Sequence, residues 1–208
     1  TPFPWPAVSS YFDIIDLAGF PKDAYYFYQS EWTNTPVLHI FPHWNWKQGE
    51  KVDLVAYYNH ADEVELFLNG RSQGTKRKQG GDMHVFWRLA YEPGVLKAES
   101  RKNGRVVLTK EVRTASEPAR IVLIPDRKTI KADGSDLSFV TVKVVDKDGT
   151  LVPGADNLIK FKVTGEGSIV GVDNGNQISH ESFKGKQRHA FHGVREAIAL
   201  EFDVLVVG

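Results

Sequence analysis

Apolar and polar residues alternate along most of this chain, and a period of two marks strands with one face in a core. Val64, Leu66 and Leu68 alternate with Glu65 and Phe67 and run into Asn69-Gly70. Asn-Gly after such a strand predicts a two-residue type I′ hairpin, because both central residues must take positive φ. The signal recurs at Asn103-Gly104, between apolar stretches at 95–100 and 105–109. Further strands are predicted at 52–58, 85–89, 119–125, 138–146 and 159–163. Lys147-Asp148-Gly149 reads as a turn, and Gly165, Gly167, Gly171 and Gly175 punctuate the stretch beyond 163. Short strands with turns at regular intervals are the pattern of β-sandwiches.

A helical period competes only near the start. Pro21 suits the first helical position, where its missing N–H costs nothing, and Asp23 then lies in the first turn, favourable against the helix dipole. Ala24, Phe27, Tyr28 and Trp32 follow at spacings of three and four and are expected on one face. So much aromatic area on one helix needs a partner, which predicts a partly exposed, adhesive surface.

The expected architecture is mainly β: two immunoglobulin-like β-sandwiches preceded by a short helical segment. The expected boundaries are 1–33, 34–115 and 116–208, with Ser116-Glu117-Pro118-Ala119 as a linker. Thr1 opens inside an aromatic, proline-rich segment, as in a chain excised from a longer one. At 208 residues and 41% hydrophobic, the chain has enough apolar material for two such cores.

Composition removes several function classes. Lys plus Arg and Asp plus Glu are both 26, so the chain lacks the basic surface that a nucleic-acid partner needs. Lys76-Arg77-Lys78, flanked by Gly74 and Gly80, reads as a solvated loop. Without cysteine there are no disulfides and no thiolate metal sites. No apolar stretch approaches the roughly 20 residues of a membrane-spanning helix. No Gly-rich phosphate loop or Gly-x-Ser-x-Gly elbow is present, and no cofactor is expected.

Three sets of residues carry a family resemblance. The run from Trp5-Pro6-Ala7-Val8-Ser9-Ser10-Tyr11-Phe12 to Trp32 resembles the stretch that closes the catalytic (β/α) barrel of family 2 glycoside hydrolases, the β-galactosidase and β-glucuronidase relatives, and forms its last helix. His39-Ile40-Phe41-Pro42-His43-Trp44-Asn45-Trp46, Tyr57-Tyr58-Asn59 and Val64-Glu65-Leu66-Phe67-Leu68-Asn69-Gly70 resemble the accessory β-domain after that barrel. Gly171-Val172-Asp173-Asn174-Gly175-Asn176, Ser179-His180-Glu181-Ser182-Phe183 and Arg188-His189-Ala190-Phe191-His192-Gly193 are similar to the closing immunoglobulin-like domain of bacterial members. The matches fall in the family's order and cover nearly the whole chain. Two places depart from it. Asp13 stands where glycine is expected, and the end from Ala197 to Gly208 lacks the expected polar, glycine-containing finish.

The resemblance implies a parent that hydrolyses β-linked sugars with retention, through two glutamates upstream of Thr1. No catalytic residue is then expected in this chain. Asp13 and Asp16, the carboxylates nearest the old site, are read as turn residues. Trp5 and Tyr11 are read as packing residues, with a place at the border of the sugar pocket of the full enzyme as the alternative. The implied partners are the upstream barrel, a β-linked oligosaccharide and, through the aromatic helix, a second copy. Bacterial relatives imply a periplasmic or extracellular parent.

Some residues leave alternatives open. Trp44 and Trp46 alternate on one predicted strand and so share a face, either as core or as an exposed platform for sugar. With Trp87 they would suit a carbohydrate-binding module. Residues 116–208 alone would suit a cell-surface immunoglobulin-like adhesion array. His180, His189 and His192 are read as surface histidines rather than metal ligands. Asp173-Asn174-Gly175-Asn176 is read as a turn, with a weak cation site as the lesser alternative.

Overall fold

The computed structural model describes residues 7, 12, 14–131, 133–165 and 167–191, together with the backbone of 198–203. The chain forms two compact units: Pro21–Ala115, and the chain up to Phe20 with Ser116–Gly208.

The first unit begins with helix α1 (Asp23–Trp32), followed by β1 (Leu38–Phe41), β2 (Lys51–Tyr58), β3 (Glu63–Leu68), β4 (Arg71–Lys76), β5 (Val85–Ala90), β6 (Val95–Lys102) and β7 (Arg105–Arg113). The strands make two antiparallel sheets, ordered β1-β2-β5 and β4-β3-β6-β7. Their alternating apolar residues meet in one core. Val52, Leu54, Ala56 and Tyr58 come from β2, Val64, Leu66 and Leu68 from β3, and Leu96 and Ala98 from β6. Both predicted Asn-Gly hairpins are present. Asn69 and Gly70 have φ of 51° and 77°, Asn103 and Gly104 of 49° and 75°, and the flanking residues pair as Leu68↔Arg71 and Lys102↔Arg105.

Two details differ from the sequence expectation. β1 ends at Phe41, before the cis Phe41-Pro42 bond, so Trp44 and Trp46 lie on an irregular segment and need not share a face. The helix also presents a different face. Asp23, Tyr26, Phe27 and Ser30 turn toward the sheet: Asp23 bonds His39 at 2.8 Å, Tyr26 stacks on His39 at 3.9 Å, Phe27 meets Tyr57 at 5.4 Å, and Ser30 is buried. That is an i, i+3, i+4, i+7 stripe, rotated by about one position from the apolar one.

The second unit contains β8 (Arg120–Pro125), β9 (Ser138–Val145), β10 (Leu158–Lys160), β11 (Ser168–Asp173), β12 (Gln187–His189) and β13 (Ile198–Asp203). A four-stranded sheet ordered β11-β13-β9-β8 accompanies the β10-β12 pair. Val140, Val142 and Val144 of β9 are buried, as are Ile159 and Val172. The strand predicted at 159–163 stops at Lys160. In the departing C-terminal stretch, 198–203 pairs with both β9 and β11. Ala197 and the residues from Val204 on lie outside the described residues.

Asp146 ties the turn after β9 to the segment that enters the unit. Its carboxylate accepts bonds from the amides of Ser116 (2.9 Å), Thr150 (2.8 Å) and Asp148 (2.9 Å). These bonds, that of the Ser116 amide foremost, hold the Asp146 carboxyl below the usual aspartate range against the opposing effect of burial. A depressed folded-state pKa contributes stability above the unfolded value of about 4 that is lost as pH falls through the folded one. In chemical unfolding followed from pH 7 to pH 2, Asp146→Asn is expected to be less stable than the parent at neutral pH, with the difference closing in acid. A gap that stays constant across that range would contradict this role.

Candidate functional site

The residues of the accessory-domain signature act as clamps. Asn59, just after β2, accepts a bond from the Val37 amide at 2.7 Å and donates to the carbonyls of Ser30, Thr33 and Thr35 at 3.0, 3.3 and 3.1 Å. It thereby satisfies carbonyls at the C-terminal end of α1 that have no partner within the helix. Asn69 accepts from the Val95 amide at 2.9 Å and donates to the Pro93 carbonyl at 3.1 Å. Asn45 makes a reciprocal pair with the Ala115 backbone, at 2.8 and 2.9 Å. Each joins segments far apart in sequence, so their roles are architectural.

The tryptophans separate. Trp44 is 0% exposed, donates from Nε1 to the Glu92 carbonyl at 3.0 Å and meets the Tyr91 ring edge-on. Trp87 is also buried, and its Nε1 reaches the carbonyl of Gly74, at the irregularity where β4 bulges against β3. Neither offers a ring face to a sugar, so a platform built from Trp44, Trp46 and Trp87 does not form. Trp46 is 37% exposed, stacked on His43 at 4.9 Å. Burial lowers the pKa of His43, which favours its neutral form in that stack. Trp5 and Tyr11 lie outside the described residues.

The carboxylates are held in ion pairs and turns. Asp53 forms a two-bond pair with Arg88 at 2.6 Å each. Glu65 is held by Arg101 and by Ser72, and both contacts lower its pKa. Asp16 accepts from the Phe20 amide at 2.9 Å in a tight turn; Asp13 lies outside the described residues. Burial pushes Glu181 up, and bonds from His189 and Ser179 outweigh it. Every described carboxyl with a displaced pKa is displaced downward. A glycosidase general acid needs the opposite displacement.

His189 bonds Glu181 at 2.8 Å through Nδ1, and His192 lies outside the described residues. Asp173 Oδ1 accepts from the amides of Asn174 and Gly175 at 2.7 and 3.1 Å, and Asn174 Oδ1 accepts from that of Asn176 at 3.1 Å. The turn itself uses these oxygens. A Cβ at Gly175, whose φ is +70°, would lie 2.6 Å from an Asp16 carboxylate oxygen. Among the described residues no group of three or more His, Asp or Glu side chains assembles in a metal-binding arrangement.

A concave surface does occur in the first unit, where β4, β5 and the loop between them meet the start of β3. This groove of about 600 Å³ is lined by residues that include Glu63, Lys76, Arg77, Asp82, His84 and Phe86. Its residues come from the start of β3 and from the continuous 75–86 stretch, which includes the Lys76-Arg77-Lys78 cluster read from the sequence as a solvated loop.

An α-helix clamped to a two-sheet β unit, joined in the chain to a second sheet-based unit, is the architecture of a β-sandwich class of domain, and comparison with known proteins assigns its family. Residues 121–199 match the family model described as Glycoside hydrolase family 2 C-terminal domain 5, and residues 49–108 match a Domain of unknown function (DUF4982). Beta-galactosidase BoGH2A of Bacteroides ovatus is 60% identical over 193 residues, covering 93% of this chain and 23% of that protein. A putative beta-glucuronidase of Formosa agariphila is 38% identical over 174 residues, 81% of this chain and 17% of its own length. A solved beta-glycosidase from Bacteroides vulgatus superposes with a TM-score of 0.89 at 34% identity, over 96% of this chain and 25% of its own. The chain belongs to family 2 of the glycoside hydrolases, in its β-galactosidase-like C-terminal region. It spans about a quarter of the length of the first of these relatives. No helix among the described residues is long and apolar enough to cross a membrane.

Proposed function

We propose that this chain is a non-catalytic accessory region of a retaining β-galactosidase-like enzyme, and that it buttresses the catalytic barrel through α1. Residues 1–33 close the barrel in this reading, and 34–115 and 116–208 are the two domains after it. The observation that carries it is the outer side of α1. The Asp23–Ser30 stripe is committed to β1 and β2, while Trp32 is 77% exposed and leans on Tyr28 at 4.5 Å. A solvated indole beside a tyrosine, on a helix already fixed to its own sheet, suits a surface that another body covers. The 60% identity to a protein named as a beta-galactosidase favours β-galactosides over β-glucuronides as the substrate of the whole enzyme.

Trp32→Ala is expected to lower the melting temperature of the full-length enzyme by several degrees and to leave that of the 208-residue chain nearly unchanged. Equal shifts in both would show that Trp32 supports only its own unit. A change in the enzyme's oligomeric mass would assign the face to a second copy instead of the barrel.

A further inference from the structure

We propose that the groove between β4, β5 and the 77–84 loop is an accessory binding site for a neutral β-linked oligosaccharide, built on Phe86 and not on the buried rings of Trp44 and Trp87. The proposal rests on the reading of the parent as a glycosidase only for the choice of ligand class; the groove itself stands on its geometry.

Phe86 supplies an apolar platform. It projects from the outer face of β5 and is 51% exposed. The Lys76 ammonium sits over one face of the ring, 5.0 Å from its centroid, a cation–π contact that leaves stacking of a sugar to the rest of the exposed ring surface. The C–H face of a pyranose stacks on such a ring.

Hydroxyl groups then need planar, fixed polar partners, and the groove wall provides them. Arg77 is held by Glu63 through Nε at 2.9 Å and Nη2 at 2.5 Å, which fixes the guanidinium while its remaining N–H groups stay free to donate. Asp82 is oriented by the Gln79 amide at 3.0 Å, leaving lone pairs to accept. His84 stands edge-on to Tyr57 at 6.3 Å. Groups held in place before the ligand arrives lose little entropy on binding.

Charge and shape select the class. Glu63 and Asp82 balance Lys76 and Arg77, so a polyanion finds no net attraction. A groove of about 600 Å³ has room for sugar rings. A site of this kind would hold a polymeric substrate near the enzyme without taking part in cleavage.

The test is binding of gluco-, galacto- and xylo-configured β-linked tetrasaccharides to the 208-residue chain, followed by amide chemical shifts, with dextran sulfate as the anionic control. At least one tetrasaccharide is expected to move the resonances of residues 76–86 with a millimolar Kd. Phe86→Ala and Asp82→Ala should each weaken it tenfold or more while retaining the parent's circular dichroism, and Trp46→Ala should bind as the parent does. Three results would overturn the proposal: no tetrasaccharide binding, binding that survives Phe86→Ala and Asp82→Ala, or binding of dextran sulfate alone. None of these bears on β-galactosidase activity of the longer enzyme, so the two readings fail separately.

Discussion

Trp44→Ala is expected to destabilise the Pro21–Ala115 unit by about 3–5 kcal/mol, the usual cost of truncating a fully buried indole. The ring lies in the core cluster with Leu54, Tyr58 and Trp87. It also satisfies the Glu92 carbonyl, 48 residues away, and truncation leaves that acceptor without its donor. Trp46→Ala, on a ring that is partly solvated and stacked on one histidine, should cost about 1 kcal/mol. Urea unfolding of both variants, followed by the circular dichroism of the sheets, separates the two. Equal losses, or a Trp44→Ala variant as stable as the parent, would mean that the segment after β1 is not packed as described.

Gly94→Ala is the second large effect. Gly94 has φ of +146°, and a Cβ there would come within 1.7 Å of Asn69 Oδ1. The asparagine would have to swing away and give up its bonds to the Val95 amide and the Pro93 carbonyl. Gly94 is also fixed on its other side, by its own amide to Thr114 Oγ1 at 3.1 Å and its carbonyl to the Thr114 amide at 2.9 Å. Backbone strain and the lost clamp together should cost about 2–4 kcal/mol. Gly104→Ala is the control: its φ is +75° and a Cβ there meets nothing within 4 Å, so only the conformational cost of about 1 kcal/mol remains. Thermal unfolding that gives the same shift for both would remove Asn69 from its clamping role.

The contrast between these glycines shows what was legible in the sequence. The Asn69-Gly70 and Asn103-Gly104 hairpins were readable because the positive φ values they need are a local matter of two residues. The strands around them were readable because their faces are defined by alternation. Asn69 as the clamp on Gly94 was not readable, since the contact is made across 25 positions. β4, Arg-Ser-Gln-Gly-Thr-Lys, carries no alternation at all; it is a strand because the turn at Asn69-Gly70 folds it back on β3, and Gly74 bulges where the register shifts.

The candidate site divides in the same way. Trp44 and Trp46 differ by two positions and look alike in sequence, but the chain leaves β1 at Phe41, and long-range packing alone decides which ring is buried. The helix was located from Asp23 in its first turn and from its aromatic spacing, but Pro21, expected at the first helical position, lies before the N-cap Lys22, and the helix starts at Asp23. Its buried stripe was set instead by His39 and Tyr57 on the sheet beneath, which no periodicity within the helix reports. Asn59 belonged to the motif that carried the family resemblance, yet its four bonds to the end of α1 and to Val37 became visible only in three dimensions. The groove at Phe86 was not legible: the Lys76-Arg77-Lys78 cluster read as a solvated loop, and with Glu63, Asp82 and Phe86 it becomes a surface only when β4 and β5 approach.

The central claim is that these residues support a glycosidase without performing its chemistry. The most direct measurement is hydrolysis of nitrophenyl β-D-galactoside by the purified 208-residue chain beside the full-length enzyme. The account predicts turnover by the full-length enzyme and none above the buffer rate by the chain alone. Turnover by the chain, abolished by substitution of one of its own carboxylates, would contradict it.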